Sequence, residues 1–148
     1  MLTDPTTDYL LHLKAAALDC AGDAVIVIDR EGIIRVWNSA AQRLFGWTAE
    51  QTIGQDVKIM IPERLRSSHD RGFFAAMASG HLHSDGRPRH TKAAGPGGET
   101  IYVTMSFAVV SDAAGAAIGS VAMAREWIRE PRHEPRPAAV GAPARDSQ

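Results

Sequence analysis

The most constraining feature of this sequence is a run of apolar side chains at alternate positions near residue 100. Within residues 99–111 the alternating apolar positions are Ile101, Val103, Met105, Phe107 and Val109. Because successive side chains of a strand point to opposite faces, this pattern predicts a long β-strand with one buried face. A single strand cannot bury that face alone, so the strand requires a sheet and a second layer that covers it.

Further strands are predicted on both sides of this segment. Residues 23–38 contain two β-branched runs around the turn 29–32, whose glycine favours a tight reversal, and this indicates a hairpin. A short strand is predicted at 89–93. The turn 112–115 precedes a last strand at 116–126.

An N-terminal helix is predicted over residues 9–20, with Thr7 or Asp8 as its N-cap and Gly22 at its end. Its apolar residues recur at three- and four-residue steps, which is typical of a helix with one apolar face. Two interpretations of this face remain open. The helix packs on the core of its own chain, or it also pairs with a second chain.

Short helices are predicted between the hairpin and the long strand. Asn38 or Ser39 is a good N-cap for a helix over 40–45, and residues 48–51 have the spacing of a capping box. Pro62 suits the first turn of a longer helix. The inward face of that longer helix is predicted to carry Leu65, His69, Gly72, Phe73, Ala76, Met77 and Gly80.

The order of these elements predicts an α+β domain, in which an antiparallel sheet carries helices on one face. A gap between the two layers is a usual place for a small ligand. We expect three parts: a flanking helix at 1–22, the domain at 23–128, and a disordered tail at 129–148, where prolines interleave with charges and alanines.

Composition excludes several classes of protein. The chain has 148 residues and a net charge of −1, so no overall field attracts nucleic acid or an anionic membrane. Its longest apolar run is too short to span a bilayer, and no signal-peptide pattern opens it. The single cysteine, Cys20, excludes an internal disulfide framework. We therefore expect a cytoplasmic protein.

Several segments together carry a family resemblance. They are DAVIVIDREGII (23–34), WNSAAQRLFGW (37–47), IGQDV (53–57), IMIPE (59–63) and GETIYVTMSF (98–107). With them the chain resembles a PAS domain. This resemblance implies a five-stranded antiparallel sheet with helices packed on it, and a sensory or dimerising role rather than catalysis.

A narrower resemblance concerns residues 60–71, MIPERLRSSHDR. This segment is similar to the heme-binding helix of the oxygen-sensing PAS kinases of rhizobia, the FixL type, and the similarity implies that His69 is the proximal ligand of heme b. A heme ligand needs a neutral imidazole on a rigid element facing a dry slot. The other residues expected around the heme are Leu65, Phe73, Arg89, Ile101, Val103, Met105 and Phe107.

Two roles within this expected site remain open. The resemblance places an arginine at the pocket for a propionate or a bound ligand, and Arg87 and Arg89 both lie near that place. Met105 is either a core methionine that fills a gap or a sixth iron ligand, because a thioether is a known axial partner of heme iron.

The sequence thus predicts a stand-alone PAS sensor, not an enzyme, that binds heme through His69 and responds to a diatomic gas or to redox state. It is expected to signal through a homodimer formed by the N-terminal helix or through a partner signalling protein. The alternative is a heme-free PAS module for protein interaction. Where related domains end in Asp-Ile-Thr, residues 126–128 read Glu-Trp-Ile, and no covalently attached output is expected after them.

Overall fold

The structure is a computed structural model, and it describes residues 4–82 and 86–128. The predicted tail 129–148 lies outside the described residues. The elements are α1 (Pro5–Cys20), β1 (Ala24–Asp29), β2 (Ile34–Trp37), α2 (Ser39–Phe45), α3 (Ala49–Thr52), a 3-10 helix (Val57–Met60), α4 (Glu63–Ser79), β3 (Arg89–Ala94), β4 (Thr100–Ser111) and β5 (Ala117–Glu126).

The five strands form one antiparallel sheet in the order β2-β1-β5-β4-β3. The chain's first hairpin therefore pairs with its last strand. The register aligns Met105 of β4 with Ala124 of β5, and Ala124 with Ala24 of β1. These three buried residues lie on the same face of the sheet, which carries the core. This confirms the predicted α+β fold with a five-stranded sheet.

The core lies between that face and the helices α2, α3 and α4. Its largest fully buried apolar side chains are Phe45, Ile34 and Val103. Phe73 and Met77 of α4 belong to the same buried cluster, which confirms the predicted inward face of this helix. The helices thus cover one face of the sheet, and a ligand can lie between the two layers where the helices stand away from the sheet.

Local hydrogen bonds and one glycine determine the turn of the first hairpin and the two ends of α2. The Asp29 carboxylate accepts hydrogen bonds from the backbone N–H groups of Glu31 and Ile33, at 3.0 and 3.1 Å, which fixes the predicted turn. Asn38 is the N-cap of α2, and Gly46 ends that helix in the left-handed conformation at φ +79°, which glycine adopts without strain.

The N-terminal helix begins earlier than predicted. Pro5 occupies its first turn, and the side chain of Asp4 accepts a hydrogen bond from the backbone N–H of Thr6 at 3.3 Å. Asp4 is therefore the N-cap, and the prediction of Thr7 or Asp8 was wrong. A proline suits this position because its missing N–H would have no partner inside the helix.

No residue of α1 is buried. Leu10 and Leu11 are 47% and 57% exposed, and Tyr9, Leu13 and Leu18 are exposed as well. The interpretation in which the apolar face of α1 packs on the core of its own chain is therefore wrong, and its pairing with a second chain stays a prediction. No helix within the described ranges has the length and apolar character needed to cross a membrane.

Candidate functional site

A cavity of about 490 Å³ lies between α4, the 3-10 helix and the inner face of the sheet. This volume is within the range of about 300–1,000 Å³ that is usual for small-molecule sites. Its wall is mostly apolar. The helical side includes Met60, Ile61, Leu65, His69, Gly72 and Phe73, and the sheet side includes Ile26, Ile28, Arg89, Ala93, Met105, Phe107, Ser120 and Ala122.

The helix α4 carries the histidine to this cavity. Pro62 is the N-cap of α4, and its carbonyl accepts a hydrogen bond from the backbone N–H of Leu65 at 2.8 Å. His69 lies one turn after Leu65 and one turn before Phe73, so the three side chains share a face. The His69 and Phe73 rings stack nearly parallel, with centroids 6.0 Å apart and planes at 10°.

The imidazole of His69 is largely withdrawn from water, with its side chain 24% exposed. Within the described ranges, its Nδ1 is the one buried side-chain nitrogen or oxygen that has no hydrogen-bond partner. The nearest acceptor is Asp70 Oδ1 at 3.6 Å, which is beyond hydrogen-bond length. An unpaired polar atom in a buried place is costly, and in native proteins it often marks a functional site.

Burial lowers the pKa of the His69 imidazole from its ordinary value of 6.5, and the Asp70 carboxylate opposes this only in part. The neutral ring is therefore favoured at neutral pH. Neutral imidazole is also the form that donates a nitrogen lone pair to a metal. The site thus offers a helix-mounted nitrogen ligand at the wall of an apolar cavity.

The strands β3 and β4 form the opposite wall. Arg89 pairs with Met105 across the two strands, so their side chains lie on the same face of the sheet. Phe107 follows two residues later on that face and lines the cavity as well. Arg89 is exposed and stands at the rim, where its guanidinium is available to an anionic group of a ligand.

Six of the eight predicted site residues line this cavity: Leu65, His69, Phe73, Arg89, Met105 and Phe107. Ile101 and Val103 do not. Val103 is fully buried in the core, and Ile101 lines a separate, more open groove near the ends of β4 and β5. Arg87 lies outside the cavity wall, so Arg89 is the better placed of the two arginines.

Sequence reasoning missed several residues of the wall, two of them small and two of them large and apolar. Ser120 and Ala122 come from β5, and Met60 and Ile61 come from the end of the 3-10 helix. The pattern in β5 carried a signal, because Ser120, Ala122 and Ala124 alternate as small residues on the inner face. Small side chains opposite a helix leave space, and this space becomes the cavity.

A metal held by several protein side chains is not supported by this geometry. Within residues 4–82 and 86–128, no three histidine, cysteine, aspartate or glutamate side chains come together as a metal site. His90 also lines the cavity, but its exposed ring stacks on Trp127, with centroids 3.9 Å apart. Among the described residues, His69 thus offers a single nitrogen ligand to a cofactor in this cavity.

Comparison with known sequences finds one matching family profile and, among its relatives, two proteins of rhizobia that each match part of the chain. A profile of the PAS fold matches residues 13–126. Over 59 residues, 40% of this chain, the sequence is 51% identical to the sensor protein FixL of Bradyrhizobium diazoefficiens, of which it covers 12%. An uncharacterized protein of Azorhizobium caulinodans is 39% identical over 71 residues, 47% of this chain and 10% of that protein. The chain thus spans a small part of either relative.

Solved structures resemble this fold at low sequence identity. The PAS domain of a protein from Colwellia psychrerythraea superposes with a TM-score of 0.67 and 21% identity, covering 80% of this chain and 97% of that one. The PAS domain of BvgS from Bordetella pertussis gives a TM-score of 0.63 and 18% identity, covering 82% and 88% of the two chains. At such identities the likeness concerns the fold alone.

Proposed function

The chain belongs to the PAS family, since the family profile matches residues 13–126, and from this premise we propose that it is a sensory domain that binds heme b through His69. The observation that carries the proposal is the largely buried imidazole of His69, carried by a helix to the wall of an apolar cavity. The short stretch that is 51% identical to a protein named as a sensor supports the sensory role.

The residues around the cavity fit a heme group in three respects. The neutral imidazole favoured at His69 is the protonation state that ligates iron. The walls made by Leu65, Phe73 and Phe107 are apolar, as a macrocycle requires. A side-chain carbon added at Gly72 would meet no heavy atom within 4 Å, so the helix backbone leaves open space there.

Each side chain has a defined task in this proposal. His69 ligates the iron, Leu65 and Phe73 flank it on α4, and Met105 and Phe107 cover the opposite side and keep water out. Arg89 at the rim pairs with a propionate or with a bound ligand. The heme supplies an iron atom that binds a diatomic gas or changes its redox state.

The signal in this proposal passes through the sheet. Met105 and Phe107 alternate along β4 with Thr104 and Ser106, which point to the outer face. A ligand that pushes the inner residues therefore shifts the outer face as well. The response is a change in the surface offered to a second copy or to a partner signalling protein, and no catalytic step is required of this chain.

The direct test is a visible spectrum of the full chain during titration with hemin. We expect a Soret band that saturates at one heme per chain, and a shift of that band when carbon monoxide is added after reduction. The absence of a band with excess hemin would overturn the heme proposal and leave the PAS fold without this cofactor.

The open space at Gly72 gives a second prediction. Gly72→Ala should raise the free energy of unfolding of the heme-free chain by about 0.5–1 kcal/mol, because alanine favours a helix interior over glycine. The same methyl group enters the cavity wall and should weaken hemin binding. Urea denaturation should show the higher stability of the variant, and hemin titration should show its weaker hemin binding.

Ala75→Gly is the matched control for this experiment. Residue 75 is exposed on the same helix and does not line the cavity. This substitution should lower stability by a similar amount and leave hemin affinity unchanged. Hemin binding that is equally strong in Gly72→Ala would show that no macrocycle lies against this part of α4.

The alternative function, a heme-free dimerisation module, is favoured by one separate observation. The apolar side chains of α1 are exposed along the whole helix. An exposed apolar helix face of this kind is typical of a surface that packs against another protein. We propose a second copy of the chain as its occupant, in a homodimer that exists with or without heme.

The dimer prediction is best tested by substitution. Leu10→Glu combined with Leu13→Glu places two charges on one face of α1 and should convert a dimer to a monomer in light scattering. His12→Glu combined with Ala15→Glu adds the same charge to the opposite face and should leave the dimer intact. A monomeric unsubstituted chain at micromolar concentration would contradict the prediction.

Deleting residues 1–22 is a less specific test of the same dimer. Asn38 Nδ2 donates a hydrogen bond to the carbonyl of Leu18 at 2.8 Å. The deletion removes this acceptor from a buried side chain, so it changes stability as well as the helix surface.

A further inference from the structure

We propose that Asp70 is a positioning residue for His69: its carboxylate receives the Nδ1–H of the imidazole, while Lys58 holds the carboxylate in place. The imidazole then keeps its lone pair on Nε2. This inference deepens the proposed function, because it states which ring nitrogen is free to bind iron. The position of the proton on His69 is a property of the chain itself and can be measured without heme.

The geometry brings the two side chains close although they are neighbours in sequence. Adjacent residues of a helix point about 100° apart and do not normally face each other. Nevertheless His69 Nδ1 lies 3.6 Å from Asp70 Oδ1, and no acceptor within the described residues hydrogen-bonds this buried nitrogen. A small rotation of the carboxylate closes the remaining gap and satisfies the nitrogen.

Lys58 orients the carboxylate from a different element. Its ammonium lies 3.6 Å from Asp70 Oδ2, the oxygen that is not turned to the histidine. The same ammonium lies 3.5 Å from Asp56 Oδ2, and Asp56 Oδ1 accepts the backbone N–H of Lys58 at 2.9 Å. One oxygen of Asp70 is thus engaged by the 3-10 helix, and the other faces the ring.

We expect the Lys58–Asp70 pair to orient the imidazole of His69 rather than to stabilise the fold. The side chains of Lys58 and Asp70 are 40% and 36% exposed, and water screens ion pairs of this kind so that they add little to folding. A carboxylate near one nitrogen of a neutral imidazole nevertheless selects the tautomer, because only a protonated nitrogen can donate to it. In metal sites the same arrangement fixes the ring and raises its basicity.

The tautomer can be measured directly in the heme-free full chain. Nitrogen NMR of histidine side chains, recorded at about pH 8 so that the rings are neutral, distinguishes Nδ1–H from Nε2–H. His69→Gln identifies the signals. We expect His69 to carry its proton on Nδ1, and Asp70→Ala to shift the tautomer ratio toward Nε2–H by about fivefold or more.

Further variants separate the position of the Asp70 carboxylate from its charge. Lys58→Met should shift the ratio in the same direction by a smaller factor, because the carboxylate remains but loses its anchor. Asp70→Asn keeps the size of the side chain and serves if Asp70→Ala does not fold; its amide should give an intermediate ratio. Arg71→Ala changes an exposed neighbour on the same helix and should leave the ratio unchanged.

The second measurement is the hemin dissociation constant. Loss of an outer partner of a ligating histidine typically weakens metal binding by about 10–100-fold, and we expect Asp70→Ala to fall in this range. A His69 proton found on Nε2 in the unsubstituted chain, or a ratio that Asp70→Ala does not change, overturns the inference. If hemin does not bind at all, the heme proposal fails. The tautomer ratio of His69 still decides whether Asp70 positions the imidazole.

Discussion

Replacing His69 with alanine should abolish the Soret band that hemin gives with the unsubstituted chain and should raise the hemin dissociation constant by about 100-fold or more. Loss of a hydrogen-bond partner behind a metal ligand already costs about 10–100-fold, and the loss of the ligand itself must cost at least the upper part of that range. The apolar cavity remains and retains weak hydrophobic affinity for the porphyrin, without an iron ligand from α4.

Two controls make this result specific to His69. His90→Ala removes the imidazole of another residue that lines the cavity, and His12→Ala removes an exposed imidazole on α1. Both should retain the band. Added imidazole should restore it in His69→Ala, because the deleted ring leaves space of its own size. Equal bands from His69→Ala and the unsubstituted chain would identify another ligand and remove the basis of the proposed site.

The sequence predicted the elements of this fold well where local chemistry determines them. The turn at 29–32 follows from hydrogen bonds of the Asp29 carboxylate, and the start of α2 follows from the Asn38 cap. The inward face of α4 follows from helical spacing, and it correctly brought His69 to the space between the layers. In each case the cause lies within a few residues of its effect.

The limits of the cavity could not be predicted in the same way. Alternation in β4 placed Ile101 and Val103 on the same face as Met105, but it cannot say where along the strand a cavity ends. At about 3.3 Å per residue, Ile101 lies roughly 13 Å from Met105, so one side chain reaches the cavity and the other does not. The packing of α2 and α4 on the sheet decides this boundary.

Two other features show what periodicity leaves out. The apolar spacing of α1 indicates that one face needs a partner, but the partner is not part of the core of this chain. Helical spacing places His69 and Asp70 about 100° apart, and it does not account for the 3.6 Å between His69 Nδ1 and Asp70 Oδ1 or for Lys58, which approaches Asp70 from the 3-10 helix.

The largest loss of stability is expected from Asn38→Ala. Asn38 is 1% exposed and uses both ends of its amide. Its Oδ1 accepts the backbone N–H groups of Val25 and Ala41 at 2.9 and 3.0 Å, and its Nδ2 donates to the carbonyls of Leu18 and Asp23 at 2.8 and 3.0 Å. Alanine removes this partner from all four backbone groups, although the Leu18 carbonyl keeps the backbone N–H of Ala21, and each buried group left unsatisfied costs about 1–3 kcal/mol.

We therefore expect Asn38→Ala to lower the free energy of unfolding by about 3 kcal/mol or more, measured by urea denaturation. Thr48→Ala is the matched control, because Thr48 also caps a helix, α3, but is exposed, and its loss should cost about 1 kcal/mol. Asn38→Asp keeps the cap and the size of the side chain but sets a carboxylate oxygen against two carbonyls. If Asn38→Asp is as stable as the unsubstituted chain, the bonds from Nδ2 to Leu18 and Asp23 do not hold α1 to the domain.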